Sequence, residues 1–245
     1  MKQVTKQLHV WVTFWVEQIA NVLFPPTCLS CGQGGNWLCE RCERSFAWLP
    51  LGWCGLCGRV GLPEQTTCHR CLEKCGLSTL VGCYEYCGRF ERCIRAVKFH
   101  PAAVGVGILA KLDFVEERTS FQGTTILIPI PCSPENERRR GFNQAERLAL
   151  EIARRSPNCT IVNQLHVTRL GRAQVGRSAR ERRANAAGLY EWRGSQLRGQ
   201  RCVLIDDVCT TGATLADAAR ALRTAGARGV QAFVLAQTPA RRSRR

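Results

Sequence analysis

Residues 203–215 read Val-Leu-Ile-Asp-Asp-Val-Cys-Thr-Thr-Gly-Ala-Thr-Leu, and they decide the fold. The apolar run from Arg201 to Ile205 (RCVLI) predicts a buried strand that delivers two adjacent carboxylates, Asp206 and Asp207, to its carboxyl end. In a parallel α/β sheet that edge is where ligands bind. Cys209, Thr210, Thr211, Gly212, Ala213 and Thr214 then turn into a helical pattern, Leu215 to Ala225, ended by Gly226. Gly212 permits a left-handed or close-approach backbone, and successive N–H groups there, with the helix N-terminus, make a cradle for phosphate. Thr210, Thr211 and Thr214 add hydroxyl donors. Two carboxylates beside a phosphate cradle repel a bare phosphate, but a ribose 5-phosphate accommodates both. Its hydroxyls donate to Asp206 and Asp207 while its phosphate sits in the turn. The alternative is an N-capping Asp/Thr turn that holds no ligand.

Outward from this stretch, short apolar runs alternate with helical patterns. Val230 to Ala236 predicts a second strand, so strand, helix and strand form a parallel, right-handed unit. Upstream, Thr125 to Ile130 (TILIPI) is a buried strand closed by Pro129 and Pro131. Asn143 caps a helix from Gln144 to Arg155, with Glu146 placed to complete a capping box. Thr79 to Tyr84 predicts a strand. Glu91 to Phe99 and Ala102 to Val115 predict helices, the second opened by Pro101. Residues 163–200 are Arg-rich without clear periodicity and are expected to form an insertion or hood over the site. The chain of 245 residues, 45% hydrophobic, has enough apolar content for a packed α/β core, and its composition excludes disorder, collagen and coiled coil.

A different chemistry precedes the sheet. Of 16 cysteines, 12 fall between Cys28 and Cys93, and eight form four C-x2-C pairs: Cys28/Cys31, Cys39/Cys42, Cys54/Cys57 and Cys68/Cys71. A two-residue gap makes a knuckle that aims both sulfurs at one metal, and two knuckles complete a tetrahedral Zn–S4 site. Two structural Zn2+ ions are expected. Short loops favour sequential sharing, although spacing alone leaves cross-bracing open. Cys75 and His69 lie close enough to substitute for a ligand. Such a segment has little core of its own, so metal binding supplies much of its folding free energy. With eight thiolates and two ions, the formal charge of +16 becomes about +12.

That charge is unevenly placed. Residues 1–130 carry 13 basic and 10 acidic side chains, and residues 131–245 carry 22 and 9. Fifteen arginines lie between Arg138 and Arg201 against four carboxylates, more than a nucleotide ligand needs. The surplus points to a single-stranded nucleic-acid backbone, with Phe142, Tyr190 or Trp192 stacking on bases; a solvated Arg-rich face is the alternative. At the other end, Leu8, Trp11, Trp15, Ile19 and Val22 recur at helical spacing, so residues 1–25 are expected to form an amphipathic helix packed on the protein's own core, with binding at a membrane surface as the alternative. The run is too short and too polar for a transmembrane segment, and no small-residue cleavage site follows it. A cytoplasmic protein is expected. The divisions are then 1–25 amphipathic helix, 26–76 zinc-binding region, 77–238 sheet domain and 239–245 basic tail.

LIDDVCTTGATL resembles the phosphoribosyl pyrophosphate (PRPP) signature of type I phosphoribosyltransferases. The whole chain is similar to the ComF family, whose members join an N-terminal double zinc ribbon to a type I phosphoribosyltransferase-like parallel sheet domain. PIPCSPENERRRGFNQAERLA (Pro129 to Ala149), RLGRAQVGRSARERRANAAGLY and GRFERCIRAVKFH resemble further segments of that family. Gly171, where Thr is common, and the acidic Glu135-Asn-Glu137 depart from it. The resemblance implies PRPP with Mg2+ or a nucleotide as ligand, with Asp206 and Asp207 on the ribose hydroxyls and Cys209 to Thr214 on the 5-phosphate. Pro129, Ile130, Pro131 and Cys132 would approach the pyrophosphate, with Arg138 to Arg140 and Arg180, Arg182 and Arg183 as candidate clamps. It also implies a role in uptake of single-stranded DNA during natural transformation, with DNA-uptake proteins as partners, or an active phosphoribosyltransferase acting on an unidentified nucleophile.

Overall fold

The computed structural model describes residues 26–62, 67–99, 104–110, 123–168 and 188–238. The strands in chain order are β1 (Thr79–Glu85), β2 (Thr125–Pro129), β3 (Cys159–Ile161), β4 (Leu165–Val167), β5 (Tyr190–Trp192), β6 (Arg201–Cys209) and β7 (Gly229–Gln237). The helices are α1 (Glu40–Glu43), α2 (His69–Cys75), α3 (Gly88–Phe99), α4 (Val104–Ala110), α5 (Pro134–Arg140), α6 (Gln144–Arg155) and α7 (Ala213–Thr224).

Five strands form one sheet in the order β1-β7-β6-β2-β3, and every pairing in it is parallel. Buried on both faces, β6 and β7 are nearly continuous apolar runs, as parallel strands must be. Side chains alternate between faces. Val203, Ile205, Phe233 and Leu235 pack with Ile94, Leu109 and Leu148 from α3, α4 and α6. Cys202, Leu204, Val230, Ala232 and Val234 pack with Leu215 and Leu222 of α7 on the other side. The two-stranded antiparallel ribbon β4–β5 lies over α7.

Several elements differ from the sequence expectations. β6 continues past Ile205 through both aspartates to Cys209. α3 begins at Gly88 rather than Glu91, and α4 is described only over Val104–Ala110. Pro134–Arg140 is helical although it contains no apolar stripe. Its Ser133 hydroxyl accepts from the Asn136 N–H, Pro134 opens the first turn, and Gly141 closes the helix in the left-handed region. Glu135 and Glu137 lie in the first turn and Arg138 to Arg140 in the last, the order the helix dipole favours. Asn143 caps α6 by accepting from the Ala145 N–H, but Glu146 accepts from the Asn163 amide and so does not complete a capping box. Residues 1–25 and 239–245 lie outside the described residues.

The zinc-binding region is an internal repeat, with an offset of 26 residues at the first knuckle of each unit and 29 at the second. Thr27 bridges Gly34, and Trp53 bridges Val60. In both units the first knuckle turns at a glycine with positive φ, Gly32 at 77° and Gly58 at 75°, whose N–H donates to the carbonyl of Cys28 or Cys54. In both, the second knuckle opens a helix: Cys39 caps α1 and Cys68 caps α2.

Candidate functional site

The knuckles gather sequentially. Cys28, Cys31, Cys39 and Cys42 form one group and Cys54, Cys57, Cys68 and Cys71 the other, with all sulfurs of a group within 4.8 Å of one another. A tetrahedral Zn–S4 centre has sulfur–sulfur edges of about 3.8 Å. Cys31 and Cys39 Sγ stand 3.8 Å apart, and Cys57 and Cys68 Sγ 3.6 Å. The donors therefore fit Zn2+, and four thiolates per ion make both sites structural. Neither His69 nor Cys75 joins a group: His69 is exposed beside Glu73, and Cys75 is buried elsewhere. Arg89 Nη1 donates to Cys42 Sγ over 3.2 Å, and the Ser30 hydroxyl donates to the Arg89 carbonyl. These contacts tie the first group to the start of α3.

The carboxyl edge of the sheet is the second centre. Asp206 and Asp207 follow the fully buried run 202–205 of β6, and strand alternation sends them to opposite faces. Asp207 meets Lys98 Nζ, at the end of α3, with its Oδ2 at 2.8 Å; both side chains are mostly covered, 16% and 23% exposed. Asp206 accepts the Asp207 N–H through Oδ1 at 2.8 Å. Burial first, and then the Asp207 charge, push the Asp206 carboxyl well above the usual carboxylate range. On its other side lies Tyr190, whose hydroxyl is pushed up by burial and then by the Asp206 and Asp217 charges.

The turn after β6 runs through exposed Thr210 and Thr211 to buried Gly212 and then into α7. Gly212 has φ 76° and ψ 0°, so the left-handed conformation expected of it is present. The Thr211 hydroxyl accepts from the Ala213 N–H at 3.4 Å, and α7 has no acidic residue in its first turn. Thr214 is exposed, and Cys209 is buried beneath the turn with its thiol pushed up by burial. The second zinc-binding unit packs directly on this turn. A Cβ at Gly212 would come within 2.7 Å of Cys75 Sγ and 3.6 Å of Leu56 Cδ1.

β2 brings the neighbouring loop alongside. Pro129 pairs with Ile205, the Ile130 N–H donates to the Ile205 carbonyl, and Asn143 Nδ2 holds the Ile130 carbonyl at 3.0 Å. Pro131 and Cys132 follow at the same edge. Arg140 Nη1 donates to Gln144 Oε1, and its Nε is buried without a partner. Its charge also lowers the Cys132 thiol against a larger upward push from burial. Arg138 is exposed on α5, and no contact among the described residues ties it to the loop. Phe142 is buried in the core and unavailable for stacking. Lys98 is a site residue that the sequence expectations do not include; its signal is the cation ending an amphipathic helix that points at the sheet edge. The Arg-rich residues 169–187 lie outside the described residues.

Residues 19–72 match the family model for a double zinc ribbon domain, and residues 139–245 match that for a phosphoribosyl transferase domain. The chain is 29% identical over 211 residues to "DNA utilization protein YhgH" of Escherichia coli O157:H7, covering 83% of this chain and 92% of the relative. It is 27% identical over 210 residues to "Competence protein F" of Haemophilus influenzae, covering 82% and 91%. It is 37% identical over 111 residues to "Competence protein ComFC" of Bacillus subtilis, covering 45% and 43%. The chain joins a double zinc ribbon to a phosphoribosyl transferase domain, and relatives similar to it carry competence and DNA-utilization names. In this chain the second zinc ribbon and the transferase domain share a boundary at the Gly212 turn. No helix among the described residues is long and apolar enough to cross a membrane.

Proposed function

We propose that the chain binds a 5-phosphorylated ribose, PRPP with Mg2+ foremost, at the carboxyl edge of β2 and β6, and that it serves the handling of single-stranded DNA during uptake on the cytoplasmic side of the membrane. The observation that carries the ligand reading is the left-handed Gly212 turn, which opens α7 immediately after two partly covered carboxylates. Backbone N–H groups of the turn and the first turn of α7 would take the 5-phosphate, and Thr210, Thr211 and Thr214 would donate hydroxyls to it. Asp206 and Asp207 would accept from the ribose hydroxyls. When bound, Mg2+ would neutralise phosphate charge, and these carboxylates are the oxygen donors the edge offers it. Asn143, by holding the Ile130 carbonyl, fixes the loop that would face the pyrophosphate. The relatives' names, with the Arg-rich second half, support the DNA part of the reading.

A second reading, an active phosphoribosyltransferase on an unidentified nucleophile, draws on Arg140. Its buried, unpartnered Nε beside the Cys132 loop is a cation placed to stabilise a departing pyrophosphate. Calorimetric titration of the zinc-loaded chain with Mg-PRPP, ribose 5-phosphate and pyrophosphate tests the first reading. PRPP should bind most tightly, and Asp206→Ala/Asp207→Ala should abolish its binding while oligonucleotide binding stays mostly intact. No heat with PRPP up to millimolar concentration would refute the ligand assignment. Pyrophosphate release from PRPP across a panel of bases separates the two readings.

A further inference from the structure

The sheet has a second charged end, opposite the sugar-phosphate site. β6 enters at Arg201 and reaches Asp207 six residues later, which places the two about 20 Å apart. At the entry end the segment 194–200 lies along the turn that follows α7. The Leu197 N–H donates to the Ala225 carbonyl at 2.8 Å, and the Gly199 N–H approaches the Gly226 carbonyl at 3.5 Å.

A cleft opens on each side of this junction. One, about 350 Å3, lies between the β5 strand and the end of α7, bordered by Tyr190, Glu191, Trp192, Gln196 and Arg220. The other, about 460 Å3, lies at the starts of β6 and β7 and is bordered by Ser78, Gln200, Arg201, Arg228 and Gln231, with no carboxylate. Arg198, Arg201, Arg223 and Arg228 are exposed around them.

Among the described residues, the carboxylates near this end have partners. Glu191 pairs with Arg193. Asp217, with a side chain 2% exposed, pairs with Arg220 and accepts from the Gly188 and Tyr190 N–H groups. On α2, Glu73 stands beside His69. The surface is therefore cationic.

In the smaller cleft, across the junction from Arg201 and Arg228, stands an aromatic ring fixed in place. The Trp192 indole N–H donates to the Ser195 carbonyl at 2.8 Å. The ring lies over Gly194, where a Cβ would come within 2.7 Å of Cζ2 and 2.8 Å of Cε2. Glycine at 194 is what lets the indole lie there, and the ring borders the smaller cleft. A preordered aromatic plane next to exposed guanidinium groups is the chemistry that holds single strands: bases stack on the ring while phosphates meet the arginines. A duplex keeps its bases stacked on one another and cannot offer one to a cleft.

We infer that the face formed by Trp192, Arg198, Arg201 and Arg228 binds single-stranded DNA, independently of the sugar-phosphate site at the opposite edge. This rests on the DNA part of the proposed function and gives that part a location.

The test uses the full zinc-loaded chain and a fluorescent oligo-dT, with anisotropy followed over a salt series. Arg198→Gln/Arg228→Gln should weaken binding at least tenfold and reduce the log–log salt slope by about 1.4, roughly 0.7 for each phosphate no longer neutralised. Trp192→Leu should weaken it about tenfold with the slope unchanged, because stacking releases no counterions. Both variants should titrate with Mg-PRPP as the wild type does. Wild-type binding that persists unaltered in all variants overturns the location while sparing the DNA reading. No wild-type binding at moderate salt overturns both. Competition by excess Mg-PRPP overturns the independence of the two ends, and equal affinity for a duplex of the same length overturns the single-strand assignment.

Discussion

Replacing Lys98 by Met should expose how the acid pair is held at the sheet edge. At the observed 2.8 Å, Coulomb attraction between Lys98 and Asp207 is about 6 kcal/mol at an effective dielectric constant of 20. Desolvating the two groups opposes most of that. Exposed pairs return under about 1 kcal/mol, and breaking fully buried ones costs about 3–5 kcal/mol. With side chains 23% and 16% exposed, this pair lies between those limits. Lys98→Met should therefore cost about 2 kcal/mol, leaving the Asp207 charge beside Asp206 with no cation. Asp207→Asn should cost less, because Lys98 can turn its ammonium to water. The double variant should resemble Asp207→Asn alone, giving a coupling energy of about 1–2 kcal/mol. Urea unfolding of the zinc-loaded proteins measures all four corners of the cycle. A coupling below about 0.3 kcal/mol, the noise of independent sites, would mean that the two groups merely touch and that Lys98 does not hold Asp207.

Gly212→Ala should destabilise by about 2–3 kcal/mol, from left-handed backbone strain plus the clash with Cys75 Sγ. Adding Cys75→Ala should recover only the clash component; full recovery in chemical denaturation would show that the positive φ costs nothing. Because the Asp206 carboxyl is raised in the fold, the folded state holds its proton above the unfolded value. Wild-type stability then falls as pH rises from the ordinary aspartate range through the raised one. Asp206→Asn lacks that loss, so its Tm relative to wild type should climb as pH rises above about 4, the ordinary aspartate value; a difference that stays flat from there through neutral pH contradicts the raised carboxyl. Metal analysis should find two Zn2+ per chain, and Cys31→Ser or Cys57→Ser should each leave about one. Loss of both ions from either substitution would contradict two separate four-cysteine groups.

The sheet and its loaded edge are legible in the sequence because local signals agree with one another. β6, α7 and β7 have apolar runs, a glycine at the turn and a glycine after the helix, and all three form within two to four residues of their expected limits. The Cys pairs are equally plain, and the short loops within each ribbon favour the sequential grouping that the fold adopts. α5 escapes a reading by periodicity for a physical reason. Its residues Pro-Glu-Asn-Glu-Arg-Arg-Arg carry no apolar stripe, while its end signals, Ser133, Pro134 and Gly141, are all present. Glu146 has the spacing of a cap, but spacing cannot reveal that Asn163, from a distant loop, claims its carboxylate. The β4–β5 ribbon is held by pairing across 20 or more residues and by Asp217 at the Gly188 and Tyr190 N–H groups, contacts no window of sequence contains.

The reason two zinc ribbons precede this sheet lies in where each one touches it. α3 rises about 18 Å over its 12 residues. At its start, Arg89 donates to the Cys42 sulfur of the first ribbon; near its end, Lys98 holds Asp207. The first ribbon thus anchors the helix that steadies one carboxylate. The second ribbon reaches the Gly212 turn through Cys75 and Leu56, and its knuckle presses Gly55 onto Gln237, where β7 ends beside Cys209. Gln237 is fully buried, and a Cβ at Gly55 would overlap its side-chain oxygen at 1.8 Å, so the contact leaves no room for the knuckle to shift. Neither ribbon has an apolar core large enough to hold such positions unaided, and a structural zinc contributes about 10–16 kcal/mol toward folding in isolated zinc-finger domains. The metal-supported segments thus stand where the sugar-phosphate edge would otherwise depend on short loops, although no zinc ligand belongs to that edge.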